Sequence, residues 1–458
     1  MKYILKNAQM LSVGLLSLLF AGSGLAQVLE EKQKLLASDG VLGDHFGHSV
    51  AVDGDTIVVG ARGHIPAATG KAYVFIYSEG DWIEQDILIA SDAEPGDEFG
   101  ISVAVDGDTA VIGAYSDDDD GAFSGSAYVF TRNAGEWSQQ RKLTASDAAA
   151  GEYFGVSVAV EGGTILVGAF RNDDHGSVYV FTYSAGDWIE QQILNASDAE
   201  AGDAFGYSLD MDLDTAVTGA RYDDDDGISS GSAYVFTRNA GSWVENKKLT
   251  ASDARPDDQF GMAVGVDGDT VVVGSYRVES VGLAPAYVFT DSAGAWSEQQ
   301  ILSASDGLAA AKFAHSLDLD GDAAVIGAYQ NSDDGVASGS AYLFTRSSTG
   351  WTEQQKLTAS DAEPGDQFGF SVAMDSATVV IGANLDDDND IASGSAYVFQ
   401  KRRFSLSRLI CIPTCEPFGW FGCDYIVIRC YVVPFIIIFI PIIIIIGSFW
   451  FYRRRKTP

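Results

Sequence analysis

Runs of aspartate recur in short, glycine-bearing loops along this chain of 458 residues, as in SDDDDGAFSG at 116–125. Clustered carboxylate oxygens in tight loops suit Ca²⁺, because this hard cation takes about six to eight oxygen ligands. The sequence therefore predicts Ca²⁺ as a cofactor of these loops. The candidate metal ligands are Asp117, Asp119, Asp173, Asp174, Asp223, Asp225, Asp333, Asp334, Asp386 and Asp388. An alternative stays open, since solvated acidic loops can serve only to keep a protein soluble.

Side chains for catalysis are harder to find. The five histidines are His45, His48, His64, His175 and His315. His48 and His315 share one position of an internal repeat, where other copies have Ile101, Val156, Tyr207, Met262 and Phe370. Such variety is typical of surface or packing positions. No glycine-rich phosphate loop, serine nucleophile elbow or His-Glu-x-x-His motif occurs. We therefore predict that the chain is not an enzyme and has no catalytic residues.

The acidic loops belong to a repeat of 51–55 residues, which is marked by a Ser-Asp pair. The pair occurs at Ser38-Asp39, Ser91-Asp92, Ser146-Asp147, Ser197-Asp198, Ser252-Asp253, Ser305-Asp306 and Ser360-Asp361. A period of this length, filled with short strand-like runs, is typical of a β-propeller or another repeat array.

One copy of the repeat predicts four short antiparallel strands and no helix. In residues 99–143, β-rich runs flank Asp106-Gly107-Asp108, and Asp-Gly is a tight hairpin signal because Gly tolerates positive φ. SAYVF and WSQQRKL provide the third and fourth strands. A recurring Phe-Gly, a recurring Gly-Ala and a recurring Trp are predicted to pack neighbouring sheets together.

Seven copies contain the first three strands, but a Trp-containing fourth strand follows only six of them. Residues 29–39 (LEEKQKLLASD) align without gaps with 351–361 (WTEQQKLTASD), so that Leu29 stands at the Trp position. The N-terminal strand can therefore complete the last blade, which removes the unpaired edges of an open stack. The predicted fold is all-β, a seven-bladed β-propeller of four-stranded antiparallel blades. A solenoid is the alternative.

The Phe-Gly, Gly-Ala and GSAYVF elements over about residues 28–400 resemble FG-GAP repeats, the units of the integrin α-subunit head and of bacterial tandem-repeat proteins. The resemblance implies a propeller used for binding. That family's Ca²⁺ loop, Asp-x-Asp-x-Asp-Gly-x-x-Asp, lies between the first and second strands, where this chain usually has Val-Asp-Gly-Asp-Thr. The nearest counterparts are Asp210, Asp212 and Asp214, and Asp318, Asp320 and Asp322, without the Gly and the last Asp. The aspartates proposed above as Ca²⁺ ligands lie on the opposite rim.

Both ends of the chain indicate export and anchoring. Residues 1–26 have basic, apolar and small-residue regions in the order of a signal peptide, with an uncleaved anchor as the alternative. Residues 431–452 are uncharged and mostly apolar, which predicts a transmembrane helix, and the basic segment 453–458 would be cytoplasmic. A removable sorting tail is the alternative. The domains are thus 1–26, the propeller at 27–400, a juxtamembrane segment at 401–430, the helix at 431–452 and the tail.

All four cysteines lie in the predicted juxtamembrane segment. They are Cys411, Cys415, Cys423 and Cys430. An even number in an exported protein predicts two disulfide bridges, with three possible pairings. The propeller needs none of them.

The strongly negative charge limits the possible binding partners. The net charge of the whole chain is −36, and residues 27–400 carry 62 acidic and 17 basic side chains, so nucleic acids and anionic lipids are disfavoured. The sequence predicts an extracytoplasmic module, tethered to a membrane by its C-terminal helix, which binds a protein or glycan ligand through its acidic loops with possible help from Ca²⁺. The alternative is a non-catalytic envelope scaffold that docks a partner subunit.

Overall fold

The computed structural model describes residues 28–63, 68–277, 284–307 and 311–401, together with the backbone of 409–417 and 423–432. Residues 28–401 form seven four-stranded antiparallel sheets, arranged as the blades of a closed propeller. The predicted fold class is confirmed for this part of the chain, and the solenoid alternative is wrong.

The blades follow one another along the chain. The first strand is β1 (Leu29–Leu35). Blade 1 has β2 (Phe46–Asp53), β3 (Thr56–Ala61), β4 (Lys71–Ser78) and β5 (Asp81–Leu88). Blade 2 has β6 (Val103–Asp106), β7 (Thr109–Ala114), β8 (Ser126–Asn133) and β9 (Glu136–Leu143). Blade 3 has β10 (Phe154–Glu161), β11 (Thr164–Ala169), the 3-10 turn Asn172–Asp174, β12 (Ser177–Ser184) and β13 (Asp187–Leu194).

The remaining blades repeat this order. Blade 4 has β14 (Phe205–Asp212), β15 (Thr215–Ala220), β16 (Ser232–Asn239) and β17 (Ser242–Leu249). Blade 5 has β18 (Ala263–Asp267), β19 (Thr270–Gly274), β20 (Ala286–Asp291) and β21 (Trp296–Leu302). Blade 6 has β22 (Phe313–Asp320), β23 (Ala323–Ala328), β24 (Ser340–Ser347) and β25 (Gly350–Leu357). Blade 7 has β26 (Phe368–Asp375), β27 (Thr378–Ala383) and β28 (Ser395–Lys401).

Strand β1 completes blade 7, in the order β1-β28-β27-β26, as the sequence alignment predicts. Leu29 lies opposite Lys401, and the backbone N–H of Leu29 donates to Gln355 Oε1 at 2.8 Å. Gln355 Nε2 in turn donates to the Leu29 carbonyl at 2.8 Å. The same two bonds join Gln33 to Trp82 between β1 and β5. Leu29 therefore takes the place of a tryptophan, and the first and last segments of the propeller pair.

The recurring Phe and Gly pack the blades as predicted. Phe46 is fully buried, with its ring 5.2 Å from that of Tyr73 in an edge-to-face arrangement. A Cβ on Gly60 would lie 2.1 Å from the carbonyl oxygen of Gly100 in the next blade, so only glycine fits there. The six tryptophans of the fourth strands are 3–8% exposed, which makes them packing residues.

Two sets of hydrogen bonds join neighbouring blades, and the serine-to-carbonyl set joins six of the seven pairs. Ser49 Oγ donates to the Gly100 carbonyl at 2.9 Å, and the set returns to blade 1 through Ser371 and Gly47 at 2.8 Å. The carboxylates that end the first strands accept from backbone N–H groups of the next blade. Asp375 of blade 7 accepts from Gly54 of blade 1 at 2.6 Å, which closes the ring.

The chain after Lys401 is a separate compact unit. Its described backbone is one antiparallel hairpin of β29 (Leu409–Pro417) and β30 (Cys423–Val432), in which Cys411 lies opposite Cys430. The predicted signal peptide lies outside the described residues, and so does the predicted transmembrane helix, except for positions 431 and 432 at the end of β30. Among the described residues, no helix has the length and apolar character needed to span a membrane.

Candidate functional site

The two faces of the propeller differ in their connections. On one face, two-residue turns link strands one and two and, in most blades, strands three and four. Glu79 and Gly80 are an example, with φ of 55° and 109° as in a type I′ turn. On the other face lie the longer connections from strand two to strand three and from strand four to the next blade. We call this second side the loop face, and it carries all ten predicted metal ligands.

The first aspartate of the long acidic run is buried in blades 2, 4 and 7. Asp117 is 3% exposed, and its Oδ2 accepts from the Tyr128 hydroxyl at 2.7 Å. Its Oδ1 accepts from the Asp119 backbone N–H at 3.2 Å. Asp223 and Asp386 are equally buried and bond to the corresponding tyrosines of blades 4 and 7. The interpretation of these loops as wholly solvated is therefore wrong for these three carboxylates, which fix the fold of the loop.

A lysine ammonium lies among the carboxylates of each long acidic loop. Lys142 Nζ is 2.9 Å from Asp92, 2.9 Å from Asp117 and 2.6 Å from Asp119. Lys248 repeats the arrangement in blade 4, with Asp198, Asp223 and Asp225 at 2.6–2.8 Å. Lys34 of β1 does the same in blade 7, with Asp361, Asp386 and Asp388 at 2.5–2.9 Å. In blade 6, Lys356 contacts Asp306 and Asp333.

These lysines are matched to the acidic loops within the chain. The fourth strands of blades 2, 4, 6 and 7 end in Lys-Leu, and those of blades 1, 3 and 5 end in Ile-Leu, with Ile87, Ile193 and Ile301 at the lysine position. The long acidic loops occur only in the four lysine blades. The ammonium is therefore the cation around which the carboxylates are arranged. Sequence analysis missed it, although the exchange of Lys for Ile in step with the loop was a readable signal.

The ionised states of Asp92 and Lys142 are favoured. Burial alone would raise the pKa of Asp92, but hydrogen bonds from Lys142 and Tyr128 outweigh it and lower that pKa. Burial would likewise lower the pKa of Lys142, and the bonds to Asp119, Asp117 and Asp92 raise it instead. Each cluster therefore stays negative overall, because one ammonium offsets only part of the charge of the two or three carboxylates around it.

The predicted ligands Asp173 and Asp174 have a different environment. They lie in the 3-10 turn of blade 3, are exposed, and have φ of 48° and 67°. The residue before them, Asn172, is 2% exposed and accepts from Ser177 Oγ at 2.7 Å. Asp334 of blade 6 is also exposed, beside the Lys356 cluster.

In the four lysine blades, the described side chains do not fit Ca²⁺ as they stand. No group of three or more His, Cys, Asp or Glu with metal-binding geometry occurs in the part of the chain that the structure describes. In blades 2, 4, 6 and 7 the lysine occupies the space between the carboxylates, so Ca²⁺ would have to displace an ammonium held at hydrogen-bond distance.

The aspartates nearest to the integrin-type loop bond to neighbouring blades. Asp210 accepts from the Val266 backbone N–H and Asp318 from that of Met374, each at 2.7 Å. Burial raises the pKa of Asp318 to about 7. Both carboxylates are thus acceptors between blades.

Exposed apolar side chains cap the acidic loops. Ile228, Val336 and Ile391 occupy equivalent positions at the tips of the loops of blades 4, 6 and 7, and they are 68–79% exposed. Phe123, one position further along in blade 2, is 49% exposed. The loop face therefore combines acidic clusters, each partly compensated by a lysine, with projecting apolar tips.

A family model described as FG-GAP repeat matches seven segments that together cover more than half of the chain. The segments are 29–75, 82–130, 137–181, 188–236, 243–289, 296–344 and 351–399. The chain belongs to the FG-GAP repeat family. Each matched unit begins at the Trp or Leu29 position of a fourth strand and ends in the third strand of the next blade, so FG-GAP units and blades are offset by one strand. A search of the curated proteins finds no match.

Proposed function

We propose that this FG-GAP propeller is a non-catalytic binding module, exported and tethered to a membrane, which holds a protein or glycan ligand on its loop face. The observation that carries the proposal is the asymmetry of the two faces. The turn face is nearly the same in every blade, whereas the loop face varies from blade to blade and presents the apolar tips. An interface with an apolar centre and a charged surround is typical of protein recognition.

Partial charge compensation by lysine supports this role. An uncompensated cluster of carboxylates would repel acidic partners more strongly and would be costlier to dehydrate. The ammonium of Lys142, Lys248, Lys34 or Lys356 reduces both penalties in the four blades that carry long loops. The apolar tips above them can then be covered by a partner.

Export and tethering rest on sequence features outside the described residues, namely the signal-like segment 1–26 and the apolar segment 431–452. Protease treatment of intact cells and of lysed cells tests this part. Degradation of the propeller that requires opening of the cytoplasmic membrane would contradict it.

The binding experiment compares two triple variants of the full-length chain against arrays of matrix proteins, glycans and cell surfaces. The first variant changes Ile228, Val336 and Ile391 to Ser. The second changes Ile83, Ile189 and Val244 to Ser, which removes equally large side chains that are 45–57% exposed on fourth strands. Binding should fall at least tenfold in the tip variant and stay unchanged in the control. Equal losses, or no binding by the parent chain, would contradict the proposal. A stoichiometric membrane partner that co-purifies would favour the scaffold alternative.

Dependence of this binding on Ca²⁺ stays a prediction. Since lysines hold the four long acidic loops, Asp173 and Asp174 of blade 3 are the predicted ligands in a loop without a lysine. Calorimetry with and without about 1 mM Ca²⁺ tests this range of affinity. A rise in melting temperature that is lost in D173N/D174N supports the prediction, and unchanged melting contradicts it.

A further inference from the structure

A cavity of about 490 Å³ lies on the propeller axis at the loop face. All seven blades contribute to its walls the residue that follows the recurring Phe-Gly, or Phe-Ala in blade 6. Several blades also contribute the residue that follows Gly-Ala. Because both positions vary along the chain, different blades supply different side chains. This volume falls in the range of about 300–1,000 Å³ that is typical of small-molecule sites.

The cavity is cationic and aromatic, in a propeller that carries 62 acidic and 17 basic side chains. Arg62, Arg221 and His315 line it together with Tyr207 and Phe370. The position before each recurring Phe includes Lys312, which lies near His315 and has its Nζ 3.8 Å above the Tyr276 ring. These residues occupy three sets of positions: the residue before each recurring Phe, the second residue after that Phe, and the residue after each Gly-Ala or its equivalent. All residues at these positions are described. Their only carboxylate is that of Glu98, which pairs with Arg62 at 3.3 Å.

Arg221 has no carboxylate partner among the described residues. Its guanidinium lies 3.7 Å from the centre of the Tyr207 ring and 4.4 Å from that of Tyr222. Its single hydrogen bond in the described region goes to Met262 Sδ at 3.5 Å, and its buried Nε has no partner. The two other propeller arginines without an ion pair, Arg171 and Arg255, are exposed, whereas Arg221 is half-buried.

A second polar atom beside the cavity is also unsatisfied. His315 Nδ1 is buried without a hydrogen-bond partner in the described structure. Burial, together with the nearby charges of Arg221 and Lys312, lowers the pKa of His315 to about 4, so the ring is neutral at pH 7 and can accept or donate one hydrogen bond. Buried polar atoms left unpaired are destabilising, so two of them beside one cavity point to a hydrogen-bonding guest.

The chemistry of the walls defines that partner. A guanidinium recognises a carboxylate through two parallel hydrogen bonds, and the aromatic walls favour a flat or ring-shaped body. A cationic guest is disfavoured because Arg221 and Lys312 already cover the ring faces of Tyr207 and Tyr276. A ligand with several negative charges is disfavoured by the strongly acidic propeller around it.

We propose that the axial cavity is a binding site for a ring-bearing monocarboxylate, which is held by Arg221 and His315 and stacked on the aromatic walls. The carboxylate can belong to an aromatic acid or to a uronic acid sugar. This site does not depend on which partner the loop face docks, so the failure of either proposal leaves the other standing.

Ligand-observed NMR and titration calorimetry of the full-length chain test the site with two probes, benzoate and glucuronate, and with their neutral counterparts, benzyl alcohol and glucose. We expect at least one carboxylate to bind at least tenfold more tightly than its neutral counterpart. Binding of benzoate alone would identify an aromatic acid, and binding of glucuronate would identify a sugar acid. No binding of either carboxylate, or equal binding of acid and neutral probe, would overturn the proposal.

Substitutions of single arginines test where the carboxylate binds. R221Q should weaken carboxylate binding at least tenfold, and R221K should have an intermediate effect because it keeps the charge but not the planar fork. The matched control is R238Q, since Arg238 also lies over an aromatic ring, that of Trp243 at 5.3 Å, but it pairs with Asp214 on the turn face. Equal binding by R221Q and the parent chain would overturn the assignment, and so would an equal loss in R238Q.

Discussion

Lys142 is the residue on which the acidic loop of blade 2 depends. Its ammonium compensates one buried carboxylate, Asp117, and two more exposed ones. Surface ion pairs contribute little, but the removal of a partner from a buried charge leaves that charge dehydrated and unpaired. We infer that these lysines matter more for the fold than their position near the surface suggests.

K142M should therefore lower the free energy of unfolding by about 1–3 kcal/mol, which is the cost of leaving a buried polar group unsatisfied. Denaturant titration measures it. The control is R141M on the same strand, since Arg141 and its partner Asp187 are each about half exposed, and it should change stability by at most about 0.5 kcal/mol. Equal effects of the two substitutions would contradict the assigned role of Lys142.

Buried carboxylates should make the propeller more stable in weak acid than at neutral pH. Burial raises the pKa of Asp97 and Asp366 to about 6 and that of Asp318 to about 7. A carboxylate whose pKa is raised by folding binds its proton more readily in the folded state, so stability increases as the pH falls through that raised value. Folding lowers the pKa of His315 to about 4, so this one group makes the folded state less stable as the pH falls below about 6.5. It opposes the effect of the three carboxylates.

Calorimetry should therefore show a melting temperature that rises as the pH falls from about 7.5 to 5. It should fall again below about pH 4, where the carboxylates with lowered pKa, such as Asp92 and Asp198, become protonated. In D318N the rise should be smaller, because one titrating group is lost. A steady decrease of the melting temperature from pH 7.5 downwards would contradict this account.

Among the elements, the first strands hold neighbouring blades together through the serine-to-carbonyl hydrogen bonds, and blade 5 is the exception. Its equivalent of Ser49 is Ala263, which lies opposite Gly274, the glycine that faces the Ala314 carbonyl of blade 6. The other six blades have serine at this position, with Oγ-to-carbonyl distances of 2.8–3.0 Å.

A263S should supply the missing bond and raise the free energy of unfolding by about 0.5–1.5 kcal/mol. The matched opposite change is S316A in blade 6, which should lower it by a similar amount. Thermal unfolding of both variants beside the parent chain measures the difference. Destabilisation by A263S would show that blades 5 and 6 do not share the spacing of the other pairs.

At the scale of the whole molecule, the sequence predicts the architecture well because the repeat exposes it. The alignment of Leu29 with the tryptophans identified the closing strand, and the recurring Gly60 position indicated close packing between blades. Lys142 was missed because its role depends on three carboxylates from two separate loops. The axial cavity was missed because the residue after Phe-Gly varies, and that variety was interpreted as packing. Only the ring geometry brings Arg221 and His315 to one place.

The loop face, the lysine clusters and the axial cavity all depend on closure of the ring by β1. Deletion of residues 29–36 from the full-length chain tests this closure most directly. The control is a second variant, in which the same eight residues are moved to follow Lys401 after a two-residue turn. The deletion should abolish the cooperative melting transition in calorimetry, because blade 7 loses its outer strand together with that strand's hydrogen bonds to blades 1 and 6. The relocated strand should restore most of that transition. A deletion variant that melts like the parent chain would contradict the closed propeller.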